Sequence, residues 1–420
     1  MDIIANYGWI FITLAVCFGF FMTWGIGAND VANAMGTSVG SGAITVKQAI
    51  IIAAVFEFAG AFLAGGNVTD TIRKGIVDPA MFTDQPQLLV YGMLAALLAA
   101  AIWLFVATTK GWPVSTTHTI VGALVGFAVA GAGANSVDWG VVGKIVASWL
   151  VSPLLGGTIS FVLMISIQRL ILNADDPFKA AKAWGPFYVF LVGFVVALVT
   201  MFKGLKHLKL ELSTPMSFAA AAVIGILIAA IGKILIIRVK QLPGEDDDFQ
   251  FTSVEKVFTP MMIFTACAMA FAHGSNDVAN GIGPLAAVVS IVQANGEIAA
   301  KAGLPLWVLI VGGAGIVLGL ATYGYKVMQT IGPRITELTP SRGYCATMAA
   351  AVTVVIASKL KLPVYTTHIA VGAVMGVGLA RGMGALDLRV LLNIVVSWII
   401  TLPAGGLLAI LFFYILKACF

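Results

Sequence analysis

Long apolar runs follow one another along the whole chain, and most approach the roughly 20 residues that a helix needs to cross a hydrocarbon core. Of the 420 residues, 60% are hydrophobic and only 10% are charged, whereas a soluble domain carries about 25% charged residues. The formal net charge of +5 is spread over connecting loops and indicates no nucleic-acid partner. The composition therefore predicts an all-α polytopic membrane protein.

The apolar runs fall into three groups, which predict about twelve membrane spans. Residues 1–172 form the first group, 173–256 a two-span middle region that ends in a polar loop, and 257–420 the third group. The predicted spans lie near 9–28, 45–66, 88–108, 113–134, 139–172, 185–203, 216–239, 257–280, 305–325, 343–358, 363–384 and 390–416.

One polar stretch occurs twice, each time at the end of a predicted span. It reads GANDVANA at 27–34 and GSNDVANG at 274–281. An acidic residue at the centre of a membrane helix is disfavoured by roughly 2.5 to 3.5 kcal/mol. Its repetition indicates a functional site.

A second motif is duplicated in the same way, as PVSTTH at 113–118 and PVYTTH at 363–368. The copies are separated by 250 residues for the prolines and by 247 for the aspartates, so the two five-span groups are an internal duplication. Because the aspartate motifs close the first and the eighth predicted span, they enter the membrane from opposite sides. This predicts two inverted five-span repeats, as in many secondary transporters.

The aspartate motif has the oxygen ligands that hard cations prefer. On a helix, Asn29, Asp30 and Asn33 share one face. The surrounding glycines predict broken or re-entrant helices whose carbonyl groups add ligands. A polar contact that only joins helices is the alternative. The candidate Na⁺ ligands are Asn29, Asp30, Asn33, Asn276, Asp277, Asn280 and Glu57.

The second motif has the properties of an anion site. Pro113 and Pro363 favour the first turn of a helix, so the hydroxyl groups that follow lie near free N–H groups at the positive end of the helix dipole. Ordinary helix capping by these hydroxyls is the alternative. The candidate ligands of a tetrahedral oxyanion are Ser115, Thr116, Thr117, Thr366 and Thr367, with Asp30, Asp277, Asn33 and Asn280 beside them.

The two predicted sites depend on each other. No Arg or Lys lies in either motif, so a doubly negative anion beside two carboxylates would be repelled. Bound cations would supply the missing positive charge, which predicts obligatory coupling. Glu57 lies deep in the second predicted span. When the two repeats are aligned, the equivalent residue is Gly312, so Glu57 breaks the symmetry of the duplication. It is either a further cation or proton site or the partner of a basic side chain.

Together, the two duplicated motifs resemble those of the inorganic phosphate transporter (PiT) family. The resemblance covers both repeats and implies a secondary transporter of inorganic phosphate, driven by Na⁺ in many members and by protons in others, and a homodimer. It also implies that Asp30, Asn33, Asp277 and Asn280 belong to the cation and phosphate region. Tyr365, where the first copy has Ser115, departs from a symmetric phosphate site.

The predicted function is import of phosphate by symport with cations, Na⁺ rather than H⁺, through alternating access at the repeat interface. The alternatives are symport of sulfate or another tetrahedral oxyanion, or an anion channel. No enzyme motif is present, and neither an enzyme nor a resident cofactor is expected. We expect a multi-pass protein of the inner (plasma) membrane, with both termini outside from a small excess of Lys and Arg in alternate loops.

Overall fold

A computed structural model describes residues 3–65, 75–112, 114–201, 213–241, 247–298, 304–328, 336–359 and 365–420. Its secondary structure is helical in these residues, apart from one isolated bridge between Val77 and Val137. The α-helices are α1 Ile3–Asn29, α2 Val31–Gly40, α3 Val46–Ala64, α4 Pro86–Thr109, α5 Thr116–Ala132, α6 Trp139–Ile167, α7 Pro177–Val199, α8 Thr214–Ile237, α9 Asp247–Gln293, α10 Leu306–Gly319, α11 Pro340–Lys359, α12 Thr366–Arg381 and α13 Leu388–Cys419.

The helices confirm the all-α membrane fold. Within the described ranges, nine helical segments are long and apolar enough to cross a membrane. α5 and α12, which begin at the duplicated threonines, are shorter, with 17 and 16 residues. The layout of twelve spans stays a prediction.

The second aspartate motif does not lie at the end of a helix, which differs from the sequence-based expectation. α9 runs without interruption from Asp247 to Gln293 and so passes through the second motif. At the first motif, Asp30 forms a single turn residue with φ −87° and ψ −31°, and its N–H still donates to the Ile26 carbonyl at 2.8 Å. The helical path therefore continues from α1 into α2.

Close helix packing explains why the motif glycines do not break these helices. A side chain at Gly27 would overlap the backbone of Ile316 on α10, and one at Gly274 would overlap the backbone of Glu57 on α3. Small residues of this kind allow membrane helices to approach closely. The glycines thus join α1 to α10 and α9 to α3.

The helices that carry the threonines are packed in the same manner. A side chain at Gly122 would overlap the backbone of Leu402, and one at Gly372 would overlap the backbone of Pro153. Hence α5 packs on α13 and α12 packs on α6. Each of these four helix pairs joins a helix within residues 1–172 to one that lies wholly or mainly within 257–420, which brings both sets of motifs to the centre of the molecule.

Gly122→Val should therefore destabilise the protein, because two backbones would have to separate to admit the side chain. Overpacking of this kind typically costs about 1–3 kcal/mol or more. Gly143→Val is the matched control, since a β-carbon there would meet no atom within 4 Å. Thermal unfolding in detergent should show a lower midpoint for Gly122→Val alone. Equal midpoints for the two variants would contradict the close α5–α13 contact.

Candidate functional site

The two aspartates lie buried at the centre of the protein and accept hydrogen bonds from the duplicated threonines. Asp30 accepts from Thr116 at 2.6 Å and from Thr367 at 2.6 Å, one oxygen to each. Asp277 accepts from Thr366 at 2.7 Å. Asp30 and Asp277 are 2% and 1% exposed. The structure thus brings together the two motifs that the sequence predicted to cooperate, and Asp30 contacts threonines of both repeats.

The asparagines of the second motif belong to the same cluster. Asn280 donates from Nδ2 to Thr117 at 2.9 Å and is 3.3 Å from the Thr116 hydroxyl. Asn276 donates to Oδ1 of its neighbour Asp277 at 2.8 Å. Both amides therefore support groups that are candidate phosphate or cation ligands.

Asn29, in contrast, points its amide towards the segment that precedes α5. Its Nδ2 donates to the Thr108 hydroxyl and to the Trp112 carbonyl, both at 3.0 Å, and its Oδ1 accepts from the Val114 N–H at 3.2 Å. All these contacts serve to position the start of α5. The side chain of Asn33 lies outside the described residues, as do Pro113 and Pro363.

The starts of α5 and α12 differ in a way that the sequence indicated. Ser115 caps α5, with its Oγ accepting from the His118 N–H at 3.3 Å. Tyr365 occupies the same position on α12 and makes no side-chain cap. The first-turn amides of both helices have no partner within the helix. Ser115 thus combines capping with its place beside the candidate site.

A third buried carboxylate reaches the cluster through a histidine. His273 Nδ1 is 2.9 Å from Glu57 Oε2, and its Nε2 is 2.8 Å from Asp277 Oδ2. The first contact has hydrogen-bond geometry, whereas the second is a close polar contact without that alignment. The side chains are 0–1% exposed. Glu57 therefore contacts the cluster through His273, which fits the alternative that Glu57 pairs with a basic side chain.

Sequence reasoning missed His273 as a site residue. It was a candidate for neither ligand set because Ile26 stands at the equivalent position of the first motif. One signal could have found it. Glu57 also lacks a polar equivalent in the other repeat, where the aligned residue is Gly312. Two polar residues that break the same symmetry contact each other.

Three of the buried groups have an arrangement that could hold a metal ion. Asp30, His273 and Asp277 each offer one ligand atom, and these atoms lie within 4.8 Å of one another. The threonine hydroxyls and the two carboxylates together supply the oxygen ligands that hard cations prefer. The same hydroxyls can donate to an oxyanion once the carboxylates no longer hold them.

Comparison with known proteins identifies the family. A sequence profile of the phosphate transporter family matches residues 26–409. A Haemophilus influenzae protein, named provisionally as a phosphate permease, is 51% identical over 100% of this chain and 100% of that protein. The chain belongs to the phosphate transporter family.

Two further relatives agree with this family membership. The chloroplastic inorganic phosphate transporter 2-1 of Arabidopsis thaliana is 44% identical over 95% of this chain and 71% of the relative. A solved structure titled "The sodium-dependent phosphate transporter" matches with a TM-score of 0.89 and 40% identity, covering 98% of this chain and 100% of that one. This family member is an integral membrane protein with a transporter fold and is not an enzyme.

Proposed function

We propose that the protein imports inorganic phosphate by symport with cations, with Na⁺ favoured over H⁺. The observation that carries this proposal is that Asp30 binds the hydroxyls of Thr116 and Thr367, which begin two different short helices. Two helices that begin at the buried centre of the protein and two buried carboxylates thus share one set of hydroxyl groups. Family membership supports phosphate as the substrate, and the sodium-dependent transporter supports Na⁺.

Electrostatics supports a cation in the transport cycle. Two unit charges 4 Å apart interact by about 4 kcal/mol at an effective dielectric constant of 20. Phosphate beside Asp30 and Asp277 would therefore be repelled strongly, and the two motifs contain no Arg or Lys. Cations on the carboxylates offset this repulsion. We assign Na⁺ to the carboxylate and amide oxygens of Asp30, Asn33, Asn276, Asp277 and Asn280.

The hydrogen bonds suggest how cation and phosphate binding are coupled. Without ligands, the carboxylates hold the hydroxyls of Thr116, Thr366 and Thr367. A cation on Asp30 or Asp277 competes for the same carboxylate oxygens and releases these hydroxyls. The released hydroxyls then donate to phosphate oxygens, next to the first-turn amides of α5 and α12. Ser115 and Thr117 complete the proposed phosphate site.

The scaffold in this proposal consists of two inverted repeats, 1–172 and 257–420, with 173–256 inserted between them. The matched glycine contacts support it, since α1–α10 and α9–α3 are equivalent pairs, as are α5–α13 and α12–α6. Alternating access then exposes the central site to each side of the membrane in turn. The protein lies in the inner (plasma) membrane with both termini outside, and the family resemblance supports a homodimer.

Proteoliposomes loaded with the full-length protein test the proposal. An inward Na⁺ gradient should drive accumulation of labelled phosphate, whereas a pH gradient alone should drive much less. Uptake that is undiminished after both gradients collapse would indicate an anion channel. Sulfate in excess should leave uptake unchanged, and equal competition by sulfate would favour the broader oxyanion alternative.

A further inference from the structure

A stripe of hydroxyl groups continues from Asp30 along one face of the helical path. Thr37, Ser38 and Ser41 follow Asp30 at intervals of 7, 8 and 11 residues, which places all of them on the same side of a helix. At 1.5 Å per residue, Ser41 lies about 16 Å from Asp30 along the axis. The three side chains are buried.

α11 adds a hydroxyl to the same stripe. The hydroxyls of Thr37 and Thr347 lie 2.8 Å apart, and a β-carbon on Gly343 would lie 3.2 Å from the β-carbon of Ser41. Residues 343–347 of α11 therefore run beside residues 37–41 of α2. We call Thr37, Ser38, Ser41 and Thr347 the hydroxyl stripe.

The stripe contains one oxygen without a partner in the part of the chain that the structure describes. The Ser38 Oγ is fully buried and makes no hydrogen bond to any of the described residues. A buried polar group left unpaired costs about 1–3 kcal/mol, so its position among other hydroxyls needs an explanation. A ligand that passes along the stripe supplies one.

The second aspartate motif lacks such a stripe. The residues equivalent to Thr37, Ser38 and Ser41 are Pro284, Leu285 and Val288. Leu285 and Val288 are fully buried. The polar extension therefore belongs to the Asp30 side alone and is not a general requirement of the duplicated helix.

The charge around the stripe favours a cation over an anion. The stripe itself contains no basic residue, and α11, which carries Thr347, also binds the partly exposed carboxylate of Glu255. Both oxygens of Glu255 accept from Ser341, two residues before Gly343, at 2.7 Å each. The neighbouring Arg342 directs its guanidinium to Glu337, with Nη1 and Oε2 3.4 Å apart.

We propose that the hydroxyl stripe is the path along which the co-transported cation moves between Asp30 and the membrane face near Ser41. The hydroxyl oxygens replace part of the hydration shell of the ion, and the ion binds the Ser38 oxygen as it passes. This inference rests on the proposed Na⁺-coupled transport and adds to it that the two carboxylates exchange their ions by different routes.

Removing the hydroxyls without changing side-chain shape tests the path. In proteoliposomes, the double variant T37V/T347V and the single variant S38A should raise the Na⁺ concentration for half-maximal uptake by about fivefold. The KM for phosphate at saturating Na⁺ should change by less than roughly twofold. Replacing both members of the hydroxyl pair leaves no buried donor unpaired, and Ser38 has no hydrogen bond to lose among the described residues, so both variants should fold.

Thr353→Val is the matched control, since Thr353 lies on α11, is fully buried, and donates to the Ala349 carbonyl of its own helix at 2.8 Å. Its Na⁺ dependence should equal that of the wild type. An unchanged Na⁺ dependence in T37V/T347V and S38A would overturn the inference alone. A wild-type protein that accumulates no phosphate under a Na⁺ gradient would overturn the proposed function, and the path with it.

Discussion

Asp30→Asn should abolish Na⁺-coupled phosphate uptake while the protein still inserts and folds. Asp30 accepts two hydrogen bonds, from Thr116 and Thr367, and a hydrogen bond to a charged group is worth about 1.5–3 kcal/mol. The amide also removes the charge that would attract Na⁺. We expect uptake to fall by on the order of a hundredfold or more. Initial rates under an imposed Na⁺ gradient measure this.

Asp277→Asn should have an effect of the same order, because Asp277 holds Thr366 and contacts His273. Asp138→Asn is the matched control, since Asp138 caps α6 at the Val141 N–H and asparagine caps equally well. Normal Na⁺-dependent uptake by both Asp30→Asn and Asp277→Asn would show that these carboxylates have a structural role only.

Glu57→Ala should destabilise the protein strongly and also impair transport. Glu57 and His273 are fully buried and 2.9 Å apart, and a buried polar group left without its partner costs about 1–3 kcal/mol, or more if it is charged. His273 would also be free to turn away from Asp277. Thermal unfolding in detergent, measured beside phosphate uptake, tests both effects.

A double variant separates pairing from packing. Glu57→Leu together with His273→Leu removes both polar partners, so it should unfold at a higher temperature than Glu57→Ala, while transport stays low because Asp277 has lost its neighbour. If Glu57→Ala unfolds at the wild-type temperature, the contact with His273 contributes little to stability.

The duplication made the centre of this site predictable from sequence. Asp30 and Asp277 had to meet the threonine motifs because each is rare in an apolar chain and each occurs twice at matched spacing. The sequence could not predict that Thr367 binds Asp30 rather than the aspartate of its own repeat. That contact depends on how the two repeats interlock, and motif spacing contains no information about it.

The glycines and Asn29 show where local reasoning fails. Gly274 suggested a broken helix, since glycine tolerates unusual backbone angles. In the structure Gly274 is needed because it has no side chain, which lets the backbone of Glu57 approach. Asn29 has the right chemistry for a cation ligand but donates to Thr108 and Trp112. Both outcomes depend on neighbours that are distant in sequence.

The glycine contacts also gather the central helices into three packed groups. α1, α3, α9 and α10 form one group, whereas α5 pairs with α13 and α6 pairs with α12. The aspartates lie in the first group, and the threonines begin α5 and α12, one helix of each pair. Movement of either pair along the first group therefore breaks a bond of Asp30, with Thr116 on α5 or with Thr367 on α12. The proposed ligands compete for these same hydrogen bonds. The bonds would therefore also hold the ligand-free transporter in one conformation.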